Sequence, residues 1–131
     1  MNNILFIITG SIAASRCKEI ITLLRKKEVK ISCILTKEAK KYIKISDIKK
    51  LLKNRIFTDE DEKKNKMLHI NLSRDNDMIV VCPATANSIA KFANGYGDNL
   101  SSNTLLASNK KILFVPAMNS FMWHNKINQK N

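Results

Sequence analysis

Four short apolar runs set the limits on how this chain can fold: Ile4–Thr9, Val29–Leu35, Met78–Cys82 and Ile112–Val115. Each is rich in β-branched residues and too short for a buried helix, so each reads as a strand. Most are continuously apolar, the mark of strands covered on both faces, as in parallel sheets. The segments between them carry helical spacing. Over Ile12–Lys27, Ile12, Ala13, Ile20, Ile21 and Leu24 fall on one side, with Lys18, Glu19, Arg25 and Lys26 largely opposite. Further helical stretches are expected over Glu38–Tyr42, from a Ser46-Asp47 cap through Leu52, around His69–Arg74, over Thr85–Ala93 and over Asp98–Ala107. The polar stretch Thr58–Lys66 reads as a solvated connection, because its acidic run lacks the alternating ligands and turning glycine of a metal loop. Pro83 and Pro116 are expected to stop the strands they follow. Strands alternating with helices and joined by right-handed crossovers imply a single three-layer α/β/α domain, a flavodoxin-like or Rossmann-like parallel sheet.

At 131 residues the chain is long enough to bury a core without disulfides or metals. Its cysteines, Cys17, Cys33 and Cys82, are odd in number and lack metal-ligand spacing, so they read as reduced thiols in a cytoplasmic protein. The run Ile4–Ile8 is too short for a secretory leader, and no apolar run approaches the ~20 residues that span a bilayer. The net charge of +12 raises nucleic acid as a partner. Against it, the charge is mostly scattered lysine and aromatics are 6% of the chain, none interleaved with the lysines. Nucleic-acid binders concentrate charge on one face and add stacking platforms.

Open α/β sheets bind ligands outside the carboxyl ends of their strands, so the residues there carry the functional reading. Strand one releases Gly10-Ser11-Ile12 into a helix start, where backbone N–H groups and the helix dipole favour an anion. Taken alone, an ordinary strand-to-helix turn is the better account of it, since the three-glycine dinucleotide fingerprint is missing. Strand two ends at Thr36, with Tyr42 shortly after; strand three releases Pro83-Ala84-Thr85-Ala86-Asn87-Ser88. The last strand releases Pro116-Ala117-Met118-Asn119, whose amide can donate and accept without charge. On spacing alone, Met118, Met122 and Trp123 could instead fill a core. Together these ends form a neutral, donor-rich rim that suits a phosphate and a flat heteroaromatic ring better than a metal or a sugar.

Several ordered motifs resemble the flavin-containing cysteine decarboxylases, and among them the phosphopantothenoylcysteine decarboxylases of coenzyme A biosynthesis. They are Thr9-Gly10-Ser11-Ile12-Ala13-Ala14, Thr58-Asp59-Glu60-Asp61-Glu62, Leu68-His69-Ile70-Asn71-Leu72, Pro83-Ala84-Thr85-Ala86-Asn87-Ser88, Asp98-Asn99-Leu100 and Pro116-Ala117-Met118-Asn119 with Met122-Trp123. The resemblance covers nearly the whole of residues 1–131. It implies FMN at the carboxyl edge of the sheet, in a site completed by a neighbouring subunit of a homotrimer. Gly10, Ser11, Ile12, Thr36, Tyr42 and Ala117 would meet the flavin, and Thr85, Ala86, Asn87 and Ser88 its phosphate. His69 falls at the catalytic histidine, and Met118 and Asn119 at the substrate, with Asn119 on its carboxylate. The implied activity is FMN-dependent decarboxylation of phosphopantothenoylcysteine to phosphopantetheine, the flavin taking electrons from the cysteine moiety and the protein handling orientation and protons. An imidazole suits removal of the accompanying proton.

The family pattern continues past the tryptophan into a flap with a Cys-Gly element, whereas this sequence runs from His124 to Asn131 without one. Set against the family, the flap's cysteine has no stand-in, which predicts FMN binding and the oxidative half-reaction with poor completion of turnover. It also keeps an alternative in play: a non-catalytic FMN-binding flavoprotein or regulatory subunit of the same fold.

Overall fold

A computed structural model describes residues 2–131 as a five-stranded parallel sheet covered on both faces. The strands are β1 (Asn3–Ile8), β2 (Lys30–Leu35), β3 (Ile56–Phe57), β4 (Met78–Ala84) and β5 (Lys111–Pro116), in the order β3-β2-β1-β4-β5. All four pairings are parallel, with Ile4 opposite both Ile31 and Met78. The three-layer fold expected from the alternation is present, and its strand order is of the Rossmann type.

Side-chain alternation along the strands divides the core in two. Phe6, Ile8, Cys33, Leu35, Val80 and Cys82 face α1 (Cys17–Arg25) and α2 (Ile45–Leu52), meeting Cys17, Ile21, Ile48 and Leu52. Leu5, Ile7, Ile34, Ile79 and Val81 point the other way. They meet α4 (Leu68–Arg74) and α6 (Leu100–Leu106) through Leu68, Leu72, Leu100 and Leu105. Between these lie α3 (Asp59–Lys64) and α5 (Ala86–Ala93), and the chain closes with α7 (Ser120–His124) and α8 (Lys126–Lys130).

Several local expectations are corrected. Thr58–Lys66 is no solvated connection. Thr58 is buried and caps α3, its backbone N–H donating to Asp61 Oδ2 at 2.8 Å. Pro83 does not end its strand: β4 runs on to Ala84 through a register shift between Val81 and Ala84, the irregular setting in which a sheet tolerates proline. The stretch Ile12–Lys27 is split. Ile12–Arg16 forms a 3-10 turn whose tighter pitch rotates Ala14 and Cys17 inward and leaves Ile12 79% exposed. Glu38–Tyr42 narrows to a 3-10 turn at Ala39–Lys41, and α2 starts after Lys44, so Ser46 and Asp47 lie inside its first turn. The strand Ile56–Phe57 is too short to carry a period. β5 is not a strand buried on both faces, since Leu113 and Val115 stand 48% and 39% exposed at the sheet's edge. Nor do Met118, Met122 and Trp123 fill a core: Met118 is half-buried, and Met122 and Trp123 are exposed.

All three cysteines are buried free thiols. The facing Cys82 together with burial pushes the Cys17 thiol well above its ordinary range, and burial alone does so for Cys33. Thiols held neutral in this way are poor nucleophiles. Among the described residues no helix is long and apolar enough to cross a membrane.

The two readings of strand burial separate in unfolding experiments. Ile79→Ala, at a fully buried position of β4, should lower stability by about 2–5 kcal/mol in urea titration. Leu113→Ala on the uncovered face of β5 should cost on the order of 0.5–1 kcal/mol. Equal losses would contradict the edge assignment.

Candidate functional site

After β1 the chain turns to one side of the sheet through β2 and β3, and it returns as β4 on the other side of β1. A crevice therefore opens between the carboxyl ends of β1 and β4, as at every such switch point. Thr9, 2% exposed, spans its floor. The Thr9 hydroxyl donates to the Pro83 carbonyl and accepts from the Thr85 N–H at 3.2 Å.

A cleft of about 190 Å³ sits above this floor. One wall is the start of α5. Thr85 caps it, accepting from the Ser88 N–H at 3.1 Å and lying 2.8 Å from the Ser88 hydroxyl, so the Ala86 and Asn87 N–H groups are left without intrahelical acceptors. The start of α6 supplies the facing wall, with Asn99 as cap and Ser101 and Ser102 lining the space. Thr36, Glu38 and Tyr42 close a third side. Gly10 completes the mouth, and only glycine fits there: a Cβ would stand 2.4 Å from Glu38 Cβ and 3.0 Å from the Glu38 carbonyl carbon.

The wall is mostly neutral. Its charged members are already paired: Glu38 with Lys41 at 2.7 Å, and Lys91 with Asp98 at 3.1 Å. Hydrogen bonding to Lys41 holds the Glu38 carboxyl below its usual range, and Lys91 does the same for Asp98. What the cleft offers a ligand is therefore chiefly hydroxyls and helix-terminal N–H groups, a donor set for an anion such as phosphate.

Of the residues singled out from the sequence, Gly10, Thr36, Tyr42, Thr85, Asn87 and Ser88 line this one cleft. Ser11 sits at its lip, its hydroxyl accepting from the Ala13 N–H at 3.2 Å; Ile12 projects outward, and Ala86 is buried behind the wall. Ala117 directly follows β5 and donates its N–H to the carbonyl of Ala84, the last residue of β4, at 3.1 Å. Met118 borders a separate, open depression with Pro116, Ser120 and Trp123. Asn119 caps α7 by accepting from the Met122 N–H at 2.9 Å, which leaves its amide N–H₂ as the group available to a ligand. His69 lies on α4, outside the cleft wall, with Nδ1 3.3 Å from Glu62 Oε2. The sequence reading missed the other wall residues, Thr9 on the floor, Glu38, Lys91 and Phe92, and the α6 side from Asn99 to Leu105. Asn99 followed by Ser102, a capping-box pattern, was the available signal for the α6 wall.

Gly10→Ala tests how tightly the mouth is built. Overpacking against Glu38 should cost about 1–3 kcal/mol in denaturant unfolding. Thr85→Ala should cost about 0.5–2 kcal/mol through the lost cap. A neutral Gly10→Ala would mean that Glu38 moves aside freely.

Comparison with known proteins places this geometry. The chain is 31% identical over 132 residues to a probable phosphopantothenoylcysteine decarboxylase of Streptococcus mutans, covering 98% of this chain and 74% of that one. It is 35% identical over 126 residues to the coenzyme A biosynthesis bifunctional protein CoaBC of Haemophilus influenzae, covering 95% of this chain. It spans about a third (32%) of that bifunctional relative's length. A solved PPC decarboxylase mutant complexed with pantothenoylaminoethenethiol superposes with a TM-score of 0.85 at 28% identity, over 98% of this chain and 73% of that one. The family model described as Flavoprotein matches residues 1–131, and the chain belongs to the flavoprotein family.

Proposed function

We propose that this chain binds FMN in the cleft between β1 and β4 and takes part in the decarboxylation of phosphopantothenoylcysteine to phosphopantetheine in coenzyme A biosynthesis. The observation that carries the reading is the convergence of two helix starts, α5 and α6, on one neutral cleft at the switch point, beside a glycine that leaves no room for a Cβ. Those features fit the cofactor. The Ser88 hydroxyl and the Ala86 and Asn87 N–H groups would hold the phosphate, while Thr36 and Tyr42 would lie along the remainder. A cleft of about 190 Å³ is small beside the 300–1,000 Å³ usual for a whole ligand, so the ring would extend past the mouth. Gly10, Ser11, Ile12 and Ala117 would meet it there.

FMN, when bound, would supply the two-electron oxidation of the cysteine moiety that makes loss of CO₂ easy. The chain's own residues would orient the substrate and move its proton. The free amide N–H₂ of Asn119 would hold the carboxylate beside Met118, and His69 would act as the base. Because His69 lies outside the cleft of its own chain, the reading places it against the cleft of a second copy, in a homotrimer. The exposed apolar side chains of Ile12, Phe121 and Trp123 support such an assembly. The buried free thiols support a reducing, cytoplasmic setting.

Titration of the protein with FMN should quench flavin fluorescence to one equivalent per chain. Ser88→Ala should weaken binding about 10–100-fold, the worth of a hydrogen bond to a charged group, whereas Asn87→Ala keeps its backbone N–H and should change binding far less. Adding phosphopantothenoylcysteine anaerobically should bleach the flavin band, and His69→Asn should slow that step about 10²–10⁴-fold with FMN still bound. Wild-type protein that binds FMN but never bleaches would point to the regulatory alternative, and a failure to bind FMN would overturn the assignment altogether.

A further inference from the structure

The acidic segment of α3 makes contacts that the proposed function does not use. Asp59 Oδ1 accepts from the Leu100 N–H at 3.0 Å, pinning α3 to the start of α6. One turn on, Glu62 points between α6 and α4. Its Oε1 accepts from Asn103 Nδ2 at 3.2 Å, and its Oε2 stands 3.3 Å from Nδ1 of His69. Both of these last two atoms are sealed from solvent, and neither has another partner among the described residues. The contact is at ion-pair distance but off the line of an ideal hydrogen bond. The His69 side chain is still 26% exposed, so the exposure comes from its remaining ring atoms.

We propose that Glu62 is a positioning residue for His69, fixing the tautomer with its proton on Nδ1 and its lone pair on Nε2. A carboxylate can only accept, so the imidazole facing it must donate from Nδ1. The other nitrogen is then the one that can take a proton, the arrangement in which an acceptor orients a working histidine. Two features hold Glu62 to this task. Asn103 occupies Oε1 and turns Oε2 toward the ring; Asn103 in turn fits against Gly97, where a Cβ would stand 2.5 Å from its Oδ1. Thr58 and Asp61 form the capping box that holds α3 in place. Treating Nε2 as the base rests on the proposed function; the tautomer does not.

The test is a long-range ¹H–¹⁵N correlation spectrum of the labelled full chain at about pH 8, above the ordinary imidazole range. The chain has two histidines, and His124→Gln assigns them. Wild-type His69 should show a protonated Nδ1 and an unprotonated Nε2. In Glu62→Gln, Asn103 keeps the side-chain oxygen, so an amide N–H₂ faces Nδ1 and the His69 proton should move to Nε2. In the FMN-loaded protein the same variant should slow substrate-driven flavin bleaching about 10–100-fold while leaving FMN affinity unchanged. A wild-type His69 protonated on Nε2, or a tautomer that Glu62→Gln leaves as it was, overturns the inference. The wild-type spectrum decides alone if the variant does not fold. Should the tautomer switch as stated while His69→Asn bleaches flavin at the normal rate, the positioning stands and the catalytic reading of His69 fails.

Discussion

The site hangs on the buried hydroxyl of Thr9. A parallel sheet that changes direction at β1 leaves the carboxyl ends of β1 and β4 side by side with nothing required to join them. Thr9 joins them, donating to the Pro83 carbonyl and accepting from the Thr85 N–H. Both ends of that link matter for what sits above it. The Pro83 carbonyl lies where β4 shifts register, and the Thr85 N–H belongs to the residue that caps α5. A serine could make the same two bonds, but it would lack the methyl group that packs at a position 2% exposed. An aliphatic residue would leave the buried Pro83 carbonyl and the part-buried Thr85 N–H without this partner, the costlier half of losing a hydrogen bond.

How much of this could be read beforehand depends on the range of the forces involved. The long strands were legible because burial on both faces writes a continuous apolar run, and Met78–Cys82 shows it plainly. Gly10, Thr85, Asn87 and Ser88 were legible because caps and tight turns are local chemistry. Asn119 was legible as a short amide released at a strand end, and the resemblance to known motifs added His69, which spacing alone could not single out. Covering was not legible: Ile112–Val115 has the composition of an interior strand, and nothing in those residues says that one face lacks a neighbour. Nor could the run Asp59–Glu62 be distinguished from a solvated acidic stretch. Its meaning lies in Leu100 and Asn103, both 41 residues away, and in the packing of α4 against α6.

That long-range clamp explains a feature that propensity would not. A six-residue helix is too short to be stable alone, and α3 buries none of its own residues. It persists because its first turn is tied twice: Thr58 and Asp61 close it, while Asp59 and Glu62 reach α6. The tie also runs the other way. Asp59 satisfies an N–H at the start of α6 that the Asn99 cap leaves open, so the wall carrying Ser101 and Ser102 is fixed partly from α3. The cleft and the surroundings of His69 thus share a support, although they lie on different sides of α6.

The charge of the chain has little to do with the cleft. Of 23 basic residues, Lys91 alone lines it, and that ammonium is committed to Asp98. An anion held there would be met by dipoles already aimed at it, the hydroxyls of Thr85 and Ser88 and the open N–H groups at the start of α5. Such donors need no ordering of long side chains on binding, whereas a lysine cluster would have to be immobilised from solution. They are also fixed in direction, so they favour a tetrahedral oxyanion in one orientation over anions in general. Exposed lysine charge attracts any polyanion and is screened by salt. For such an anion, donors fixed in this way would give a selectivity that the scattered surface charge lacks.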